Sequence, residues 1–178
     1  MLDKERNFIR QQGYAPPRTQ TCSVQYRGLQ FQPRVIGVIM LTGVILRSPS
    51  VFLALSGVLW WSALVPARNP FEGIYNHFIA ARRGLPLLVP APNARRFAQG
   101  LAAGMLGIIG LALLGGIPMV AWLVTAFLFA ALAAILFGGF CFGSFLFHLI
   151  TGNAAFARRT LPWARARSLR KFRGSPTQ

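Results

Sequence analysis

Apolar residues occupy the second half of the chain in one long uninterrupted run. Residues 97–150 include no Asp, Glu, Lys or Arg, which makes 54 consecutive uncharged positions. A soluble domain of this size has to turn part of its surface to water, so it does not keep such a run free of charge. The pattern therefore predicts membrane-spanning helices and an all-α integral membrane protein.

Four apolar segments predict four transmembrane helices arranged as two hairpins. The first hairpin covers residues 34–66 and the second covers residues 97–150. The turns within them are tight and lie at residues 47–48 and 115–117. Between the hairpins lies a more polar linker, residues 67–96.

Two of the four segments have unusual lengths. Residues 35–46 rise only ~18 Å as a helix against a membrane core of ~30 Å, so the first helix has to begin near Leu29 to span. The last segment, residues 118–150, is too long for a single crossing. We expect a break or a bend in it near Gly138 and Gly139.

Basic residues lie almost entirely outside the hairpins. The chain has 19 Lys and Arg against three Asp and Glu; six basic residues occur up to Arg34, five in the linker and seven in residues 151–178. The hairpin turns hold only Arg47. The positive-inside rule then predicts a multi-pass membrane protein with both termini and the linker cytoplasmic.

The two ends of the chain are predicted to be arms on the cytoplasmic side. Residues 1–33 are polar and basic, and a segment of this composition is flexible on its own, so it needs contacts to become ordered. Residues 151–178 form a polybasic tail.

The linker contains Glu72, the only acidic residue after position 5. Asn69, Pro70 and Glu72 match the pattern of a helix N-terminus, with Asn as N-cap and Pro at the first helical position. We predict an amphipathic helix on the headgroup surface, with Glu72 capping it or pairing with Arg68. Its apolar stripe consists of Phe71, Ile74, Tyr75 and Phe78.

Small residues recur on one face of the third apolar segment. Glycines spaced in this way let two helix backbones approach closely, so the face is predicted to be a packing surface. The partner helix belongs either to this chain or to another one. The glycines are Gly100, Gly104, Gly107 and Gly110.

The end of the fourth segment holds Cys141, Ser144 and His148. Ser144 and His148 are four residues apart and share a helix face, but a nucleophile–base pair also needs a third group to orient the base, and Glu72 is the one remote candidate. We predict no catalytic site, and the two cysteines of the chain suggest no metal site. His148 and His77 are candidate ligands of a pigment or haem.

The sequence indicates no definite cofactor. The candidates for bound molecules are bacteriochlorophyll, carotenoid and structural lipids. Basic residues with an interleaved Trp beside a membrane predict binding to anionic headgroups or to a partner rather than to nucleic acid. These residues are Arg82, Arg83, Arg158, Arg159, Trp163, Arg165, Arg167, Arg170, Lys171 and Arg173.

Three stretches resemble an uncharacterised bacterial membrane family, domain of unknown function 4395. They are RNPFEGIYNHFIA, PNARRFAQGLAAGMLGIIGLALLGG and FGGFCFGSFLFHL, and together they cover about residues 34–150. The resemblance implies hydrophobic hairpins and a location in a bacterial inner membrane, cytoplasmic or intracytoplasmic, but no activity. The family pattern has two cysteines at the end of the fourth segment. In this chain Cys141 matches the first of them, and Ser144 occupies the position of the second.

The function that we predict is that of a non-catalytic accessory or structural subunit. It would assemble or stabilise a larger bacterial bioenergetic complex, either a photosynthetic reaction-centre and light-harvesting assembly or a respiratory one, through contacts with other membrane subunits. The alternative is a small transporter or a thiol-linked redox protein centred on Cys141. Against transport, the apolar segments hold almost no ionisable groups.

Overall fold

Helices make up all the regular structure in the part of the chain that the computed structural model describes, residues 2–15 and 19–161. The predicted all-α architecture is thereby confirmed. The helices are α1 (Leu2–Gln11), α2 (Thr19–Leu29), α3 (Phe31–Ile45), α4 (Pro49–Leu64), α5 (Pro70–Ile74), α6 (Asn93–Leu114), α7 (Pro118–Ala133), α8 (Phe142–Ile150) and α9 (Ala154–Thr160).

Proline marks the start of three of these helices. Pro49, Pro70 and Pro118 each occupy the first turn of α4, α5 and α7. Proline lacks an N–H, but the first turn of a helix has no intrahelical acceptor for it, and the fixed φ of proline suits that position. The tight turns that precede α4 and α7 therefore end where the sequence places a proline.

Three helical stretches are long and apolar enough to cross a membrane: Cys22–Ile45, Asn93–Leu114 and Pro118–Gly138. The first joins α2 to α3 with little interruption, so the helix begins well ahead of Val35 and gains the length that the apolar segment lacks. The helix α4 is also apolar but has only 16 residues.

The predicted break in the last apolar segment is confirmed. After α7 the helix widens into a π-type turn over Ala134–Gly138, and Gly139 adopts a left-handed conformation with φ of 60°. Glycine reaches this region without the steric cost that a Cβ atom brings. The chain then reverses, and α8 packs on the first turns of α6, with Gly143 close to Ala98.

The helix α6 lies at the centre of the fold. Its most extensive contact is with α4, and α7 and α8 also pack on it. The main apolar core forms where α3, α4, α6 and α7 meet, and its fully buried members include Met40, Phe52, Leu59, Leu106 and Ile109.

The N-terminal arm obtains its ordering contacts from this chain itself. The helix α1 packs against α2 and α9, and Phe8 and Ile9 are fully buried. Asn7 Nδ2 donates a hydrogen bond to the carbonyl of Thr160 at 3.1 Å. Phe8 and Ile9 build a second core together with Tyr26 and Leu29 of α2.

We expect Gly139→Ala to destabilise the protein more than Gly84→Ala. Both glycines have φ near 60°, so an alanine at either site costs about 1–2 kcal/mol of backbone strain. At Gly139 a Cβ atom would also lie 2.7 Å from Lys4 Cε and displace the lysine that donates to the carbonyl of Phe137, whereas at Gly84 it meets open space. The measurement is the unfolding free energy in detergent.

Equal losses of stability in these two variants would contradict this account. They would mean that the contact of α1 with the turn at Gly139 contributes nothing to the fold.

Candidate functional site

A cluster of buried polar side chains lies between the two apolar cores. Along α2 and α3, Gln32 stands between Leu29 of the second core and Ile36 of the main core. In the linker, Glu72 stands between Phe71 of the main core and Tyr75 of the second. We call Tyr14, Gln32, Glu72, Arg95 and Gln99 the polar cluster; all five are buried.

An ion pair forms the centre of the polar cluster. Arg95 Nε lies 3.6 Å from Glu72 Oε1, and the two side chains are 5% and 7% exposed. Neither of these two atoms has a hydrogen-bond partner, so their contact is electrostatic. Charges buried to this degree are retained only where an opposite charge compensates them.

The prediction that Glu72 caps its helix or pairs with Arg68 is wrong. Asn69 alone caps α5, since its Oδ1 accepts from the N–H of Phe71 at 3.0 Å. The helix begins at Pro70, as the capping pattern predicts, continues through a wide turn over Tyr75–Ala80 and ends at Gly84. The carboxylate of Glu72 turns inward because α6 brings Arg95 to that side.

The predicted apolar stripe of the linker helix is divided between the interior and the surface. Phe71 and Tyr75 are buried, whereas Ile74 and Phe78 are 48% and 53% exposed. The segment is therefore anchored in the bundle on one side and presents apolar side chains on the other.

Gln32 and the carbonyl of Leu29 accept hydrogen bonds from Arg95, and Gln99 donates to Gln32. Arg95 Nη2 and Gln99 Nε2 both donate to Gln32 Oε1 at 2.9 Å, and Arg95 Nη1 donates to the carbonyl of Leu29 at 3.5 Å. These bonds fix the orientation of both amides. They leave Gln32 Nε2 and Gln99 Oε1 buried without a partner.

Tyr14 brings the chain after α1 to the same cluster. Its hydroxyl is buried without a hydrogen-bond partner. Burial raises the pKa of Tyr14 to about 12, with the positive charge of Arg95 opposing the shift and the negative charge of Glu72 adding to it. The phenol is therefore neutral at physiological pH.

Gln11 ties α1 to the C-terminal helices. Its side chain is fully buried: Oε1 accepts from the N–H of Cys141 at 2.9 Å and Nε2 donates to Thr160 Oγ1 at 3.3 Å. Its backbone carbonyl lies 3.1 Å from His148 Nε2, which donates to it. One residue of α1 thus holds the start of α8, the end of α8 and α9.

Ser144 and His148 do not form a nucleophile–base pair. Ser144 Oγ donates to the carbonyl of Ala94 at 3.3 Å and approaches Cys141 Sγ at 3.4 Å. His148 is engaged by Gln11 instead. These three residues hold α8 in place.

The two candidate histidine ligands lie in different surroundings. His148 is half-buried beside the rings of Phe147 and Phe156, at 5.6 and 4.8 Å, and its Nε2 is occupied. His77 is exposed and lies against Phe78. Within residues 2–15 and 19–161 no three His, Cys, Asp or Glu side chains come together as metal ligands.

The four glycines of α6 divide into two pairs. A Cβ atom at Gly107 would lie 3.3 Å from Ser56 Oγ, and one at Gly110 would lie 2.6 Å from Leu53, so this end of the face packs tightly on α4. At Gly100 the nearest neighbour is the rim of Trp60 at 3.6 Å, and at Gly104 there is nothing within 4 Å.

Four of the basic residues predicted to contact headgroups or a partner lie in the described part of the chain, and all four are exposed. Arg82 and Arg83 lie on the linker, with the Arg82 guanidinium 5.7 Å from the centre of the Phe78 ring, and Arg158 and Arg159 lie on α9. The remaining predicted contact residues fall outside the described residues: Trp163, Arg165, Arg167, Arg170, Lys171 and Arg173.

The sequence patterns did not single out Gln11, Gln32, Arg95 or Gln99. Arg95 and Gln99 are four residues apart and share one face of α6, which is a signal that could have found them. The partner of that face, Gln32, lies 63 residues from Arg95, and no local pattern links the two.

In the described residues, the fold and the site define a helical protein with three helices apolar enough to cross a membrane and a buried ion pair between its two cores. The chain belongs to the family described as Domain of unknown function (DUF4395), which matches residues 24–151, from within α2 to the end of α8. The family that the motifs resemble is thereby confirmed. No curated protein and no solved structure matches the chain significantly.

We expect Arg95→Met to destabilise the protein by about 3–5 kcal/mol, because it leaves the carboxylate of Glu72 buried without a cation. Glu72→Gln combined with Arg95→Met is expected to restore part of this loss, since no charge is then left unpaired. The measurement is a double-mutant cycle of unfolding free energies. Arg96→Met is the control, because it removes the adjacent arginine and leaves the pair of Glu72 and Arg95 in place. Additivity of the two changes within about 0.5 kcal/mol would contradict a coupled pair.

We also expect the contribution of Glu72 to stability to depend on pH. Burial raises the pKa of Glu72 above its usual 4.5, against the opposing effect of Arg95. Because the folded-state pKa is the higher one, this contribution is full below the unfolded pKa and is lost as pH rises through the folded one. Unfolding free energies measured at a series of pH values should show the wild type losing stability relative to Glu72→Gln as pH rises from the unfolded-state pKa to the folded-state pKa of Glu72. A difference between the two proteins that does not change with pH would refute this.

Proposed function

We propose that the protein is a multi-pass bacterial inner-membrane protein that acts as a non-catalytic accessory subunit of a larger membrane complex. In this proposal α3, α4, α6 and α7 cross the membrane as two hairpins, and the segment that begins with α5 lies at the cytoplasmic interface. The termini lie on the same side as that segment.

The arrangement of the two ends of the bundle supports this topology. Both hairpin turns lie at one end, where Arg47 and Pro118 line the same cavity of about 240 Å³. The linker and α1 lie around the polar cluster at the other end. There Arg82 and Arg83 are exposed and Arg82 lies over the ring of Phe78, a combination suited to a headgroup region.

A groove on the outer surface between α4 and α6 is the observation that carries the subunit proposal. Its volume is about 670 Å³, and its floor includes Gly100 and Gly104. Trp60, Leu64 and Ile108 stand at its sides and are exposed. This chain fills the Gly107–Gly110 end of the glycine face with α4 and leaves the other end open.

We assign this groove to a transmembrane helix of a partner subunit. Gly100 and Gly104 are four residues apart, the spacing that lets a second helix backbone approach closely. Within the membrane, an apolar groove is covered either by lipid or by another helix. A helix gains more packing contacts from such a narrow groove than flexible lipid tails do.

The interior of the protein supports a structural rather than a catalytic or transport role. The charged side chains that are buried in the described part of the chain are Glu72 and Arg95, and they neutralise each other. Cys141 is 4% exposed. The assignment to a photosynthetic or a respiratory complex stays a prediction from composition. The alternative function, a small transporter or a thiol-linked redox protein centred on Cys141, also stays a prediction.

We expect Gly104→Leu to release the partner, because the side chain fills the groove where a second helix would lie. The measurement is co-purification of the full-length protein from native membranes in mild detergent. Gly57→Leu is the matched control: Gly57 is an exposed helical glycine on α4 with nothing within 4 Å of a Cβ atom, and it lies outside the groove.

Loss of the co-purifying subunits in Gly104→Leu but not in Gly57→Leu would support the proposal. Migration of the wild type as a lone 19.5 kDa species would refute the subunit function itself. Partners that remain bound to Gly104→Leu would refute the groove as their site.

A further inference from the structure

The cavity at the end of the bundle that holds both hairpin turns reaches from the surface into the interior. Its volume is about 240 Å³, and α3, α4, α6 and α7 all contribute to its wall. Phe52, Ile109 and Ala121 line it and are at most 1% exposed. Arg47 and Trp122 also line it, and both are exposed. Because buried and exposed residues share one wall, the cavity runs from the surface at Arg47 and Trp122 into the apolar core.

Arg47 occupies a backbone position that favours glycine. Its φ is 48°, and within residues 2–15 and 19–161 it is the one residue other than glycine with a positive φ. Both hairpin turns close with the same pattern of backbone hydrogen bonds, and the second turn has Gly116, with φ of 69°, where the first has Arg47. A Cβ atom brings a steric cost in this conformation, so the turn by itself does not explain an arginine here.

Arg47 also carries a charge without an acidic side chain near it. The three acidic residues of the chain are Asp3, Glu5 and Glu72, and they lie in α1 and α5, at the opposite end of the bundle. A guanidinium is a planar set of donors whose favoured partner is an oxyanion, which it binds through two parallel hydrogen bonds. At the mouth of an apolar cavity, such a group selects a molecule with an anionic head and an apolar body.

We propose that this cavity binds an amphiphilic oxyanion, with one acyl chain inside and the anionic head on Arg47. The two sources of this chemistry are a free fatty acid and an anionic phospholipid. A cavity of about 150 Å³ in another protein holds benzene, so the 240 Å³ found here have room for roughly ten carbon atoms of a chain. Trp122 at the mouth suits the level of a membrane at which anionic heads lie. This inference goes beyond the accessory role and does not depend on a partner subunit.

The test compares decanoate with 1-decanol, which has a chain of the same length and no charge. Binding to the full-length protein in a maltoside detergent is measured by equilibrium titration at a pH at which the carboxylate is ionised. Affinities are expressed relative to partitioning into micelles that lack the protein. We expect the wild type to bind decanoate about ten-fold more tightly than decanol, because only decanoate forms a charge-assisted pair with the guanidinium.

Arg47→Gly separates a role in binding from a role in the turn. This variant is expected to bind decanoate and decanol equally. Its midpoint of thermal unfolding is expected not to fall, since glycine adopts a φ of 48° without strain. A lower midpoint would mean that the arginine serves the turn, and it would count against the proposal.

A second variant tests the cavity independently of Arg47. Ala121→Leu places three additional carbon atoms in the cavity and is expected to weaken binding of both compounds at least ten-fold. Ala126→Leu is the matched control on the exposed side of α7, and it is expected to leave binding unchanged.

Phosphatidylglycerol with decanoyl chains distinguishes the two sources. Binding at least as tight as that of decanoate identifies the phospholipid as the ligand, and weaker binding identifies the free acid. Equal affinity of the wild type for decanoate and decanol would overturn the proposal. A preference for decanoate that persists in Arg47→Gly, or unchanged binding by Ala121→Leu, would also overturn it.

Discussion

The buried pair of Glu72 and Arg95 is the constraint around which the structure is arranged. Removing a carboxylate and a guanidinium from water is costly, and the cost is met only if each charge faces the other and the remaining donors find acceptors. This requirement holds the linker against the first turn of α6. It also draws Gln32 of α3 and the carbonyl of Leu29 to the same place, so three parts of the chain that are distant in sequence meet at one point.

That meeting point joins two cores with different roles. The main core, where α3, α4, α6 and α7 meet, consists of apolar side chains and needs no directional contacts. The second core is built by the N-terminal helices around the turn at Gly139, and it depends on specific hydrogen bonds, of which those of Gln11 to Cys141 and Thr160 are central. The N-terminal arm is therefore part of the fold, since it covers the end of the bundle at which α8 reverses.

The same packing leaves one outer groove open and two buried amide atoms without partners. On the outside, α4 covers one half of the glycine face of α6 and leaves Gly104 open. On the inside, Gln32 Oε1 accepts from both Arg95 and Gln99, which leaves Gln32 Nε2 and Gln99 Oε1 without a partner. The proposed structural subunit, which seats a neighbouring helix, accounts for the open groove and does not require the protein to perform chemistry.

The sequence by itself determined the elements with local causes. The uncharged run predicted the apolar helices, proline and Asn69 predicted where helices begin, and the length of the last segment predicted its break near Gly139. These features depend on hydrophobicity and backbone geometry within a few residues. The tertiary structure alone decided that Glu72 faces Arg95, that α1 closes over α8 through Gln11, and which glycines of α6 remain open. These outcomes depend on long-range packing, because burial makes an unpaired charge or amide costly only after distant helices have come together.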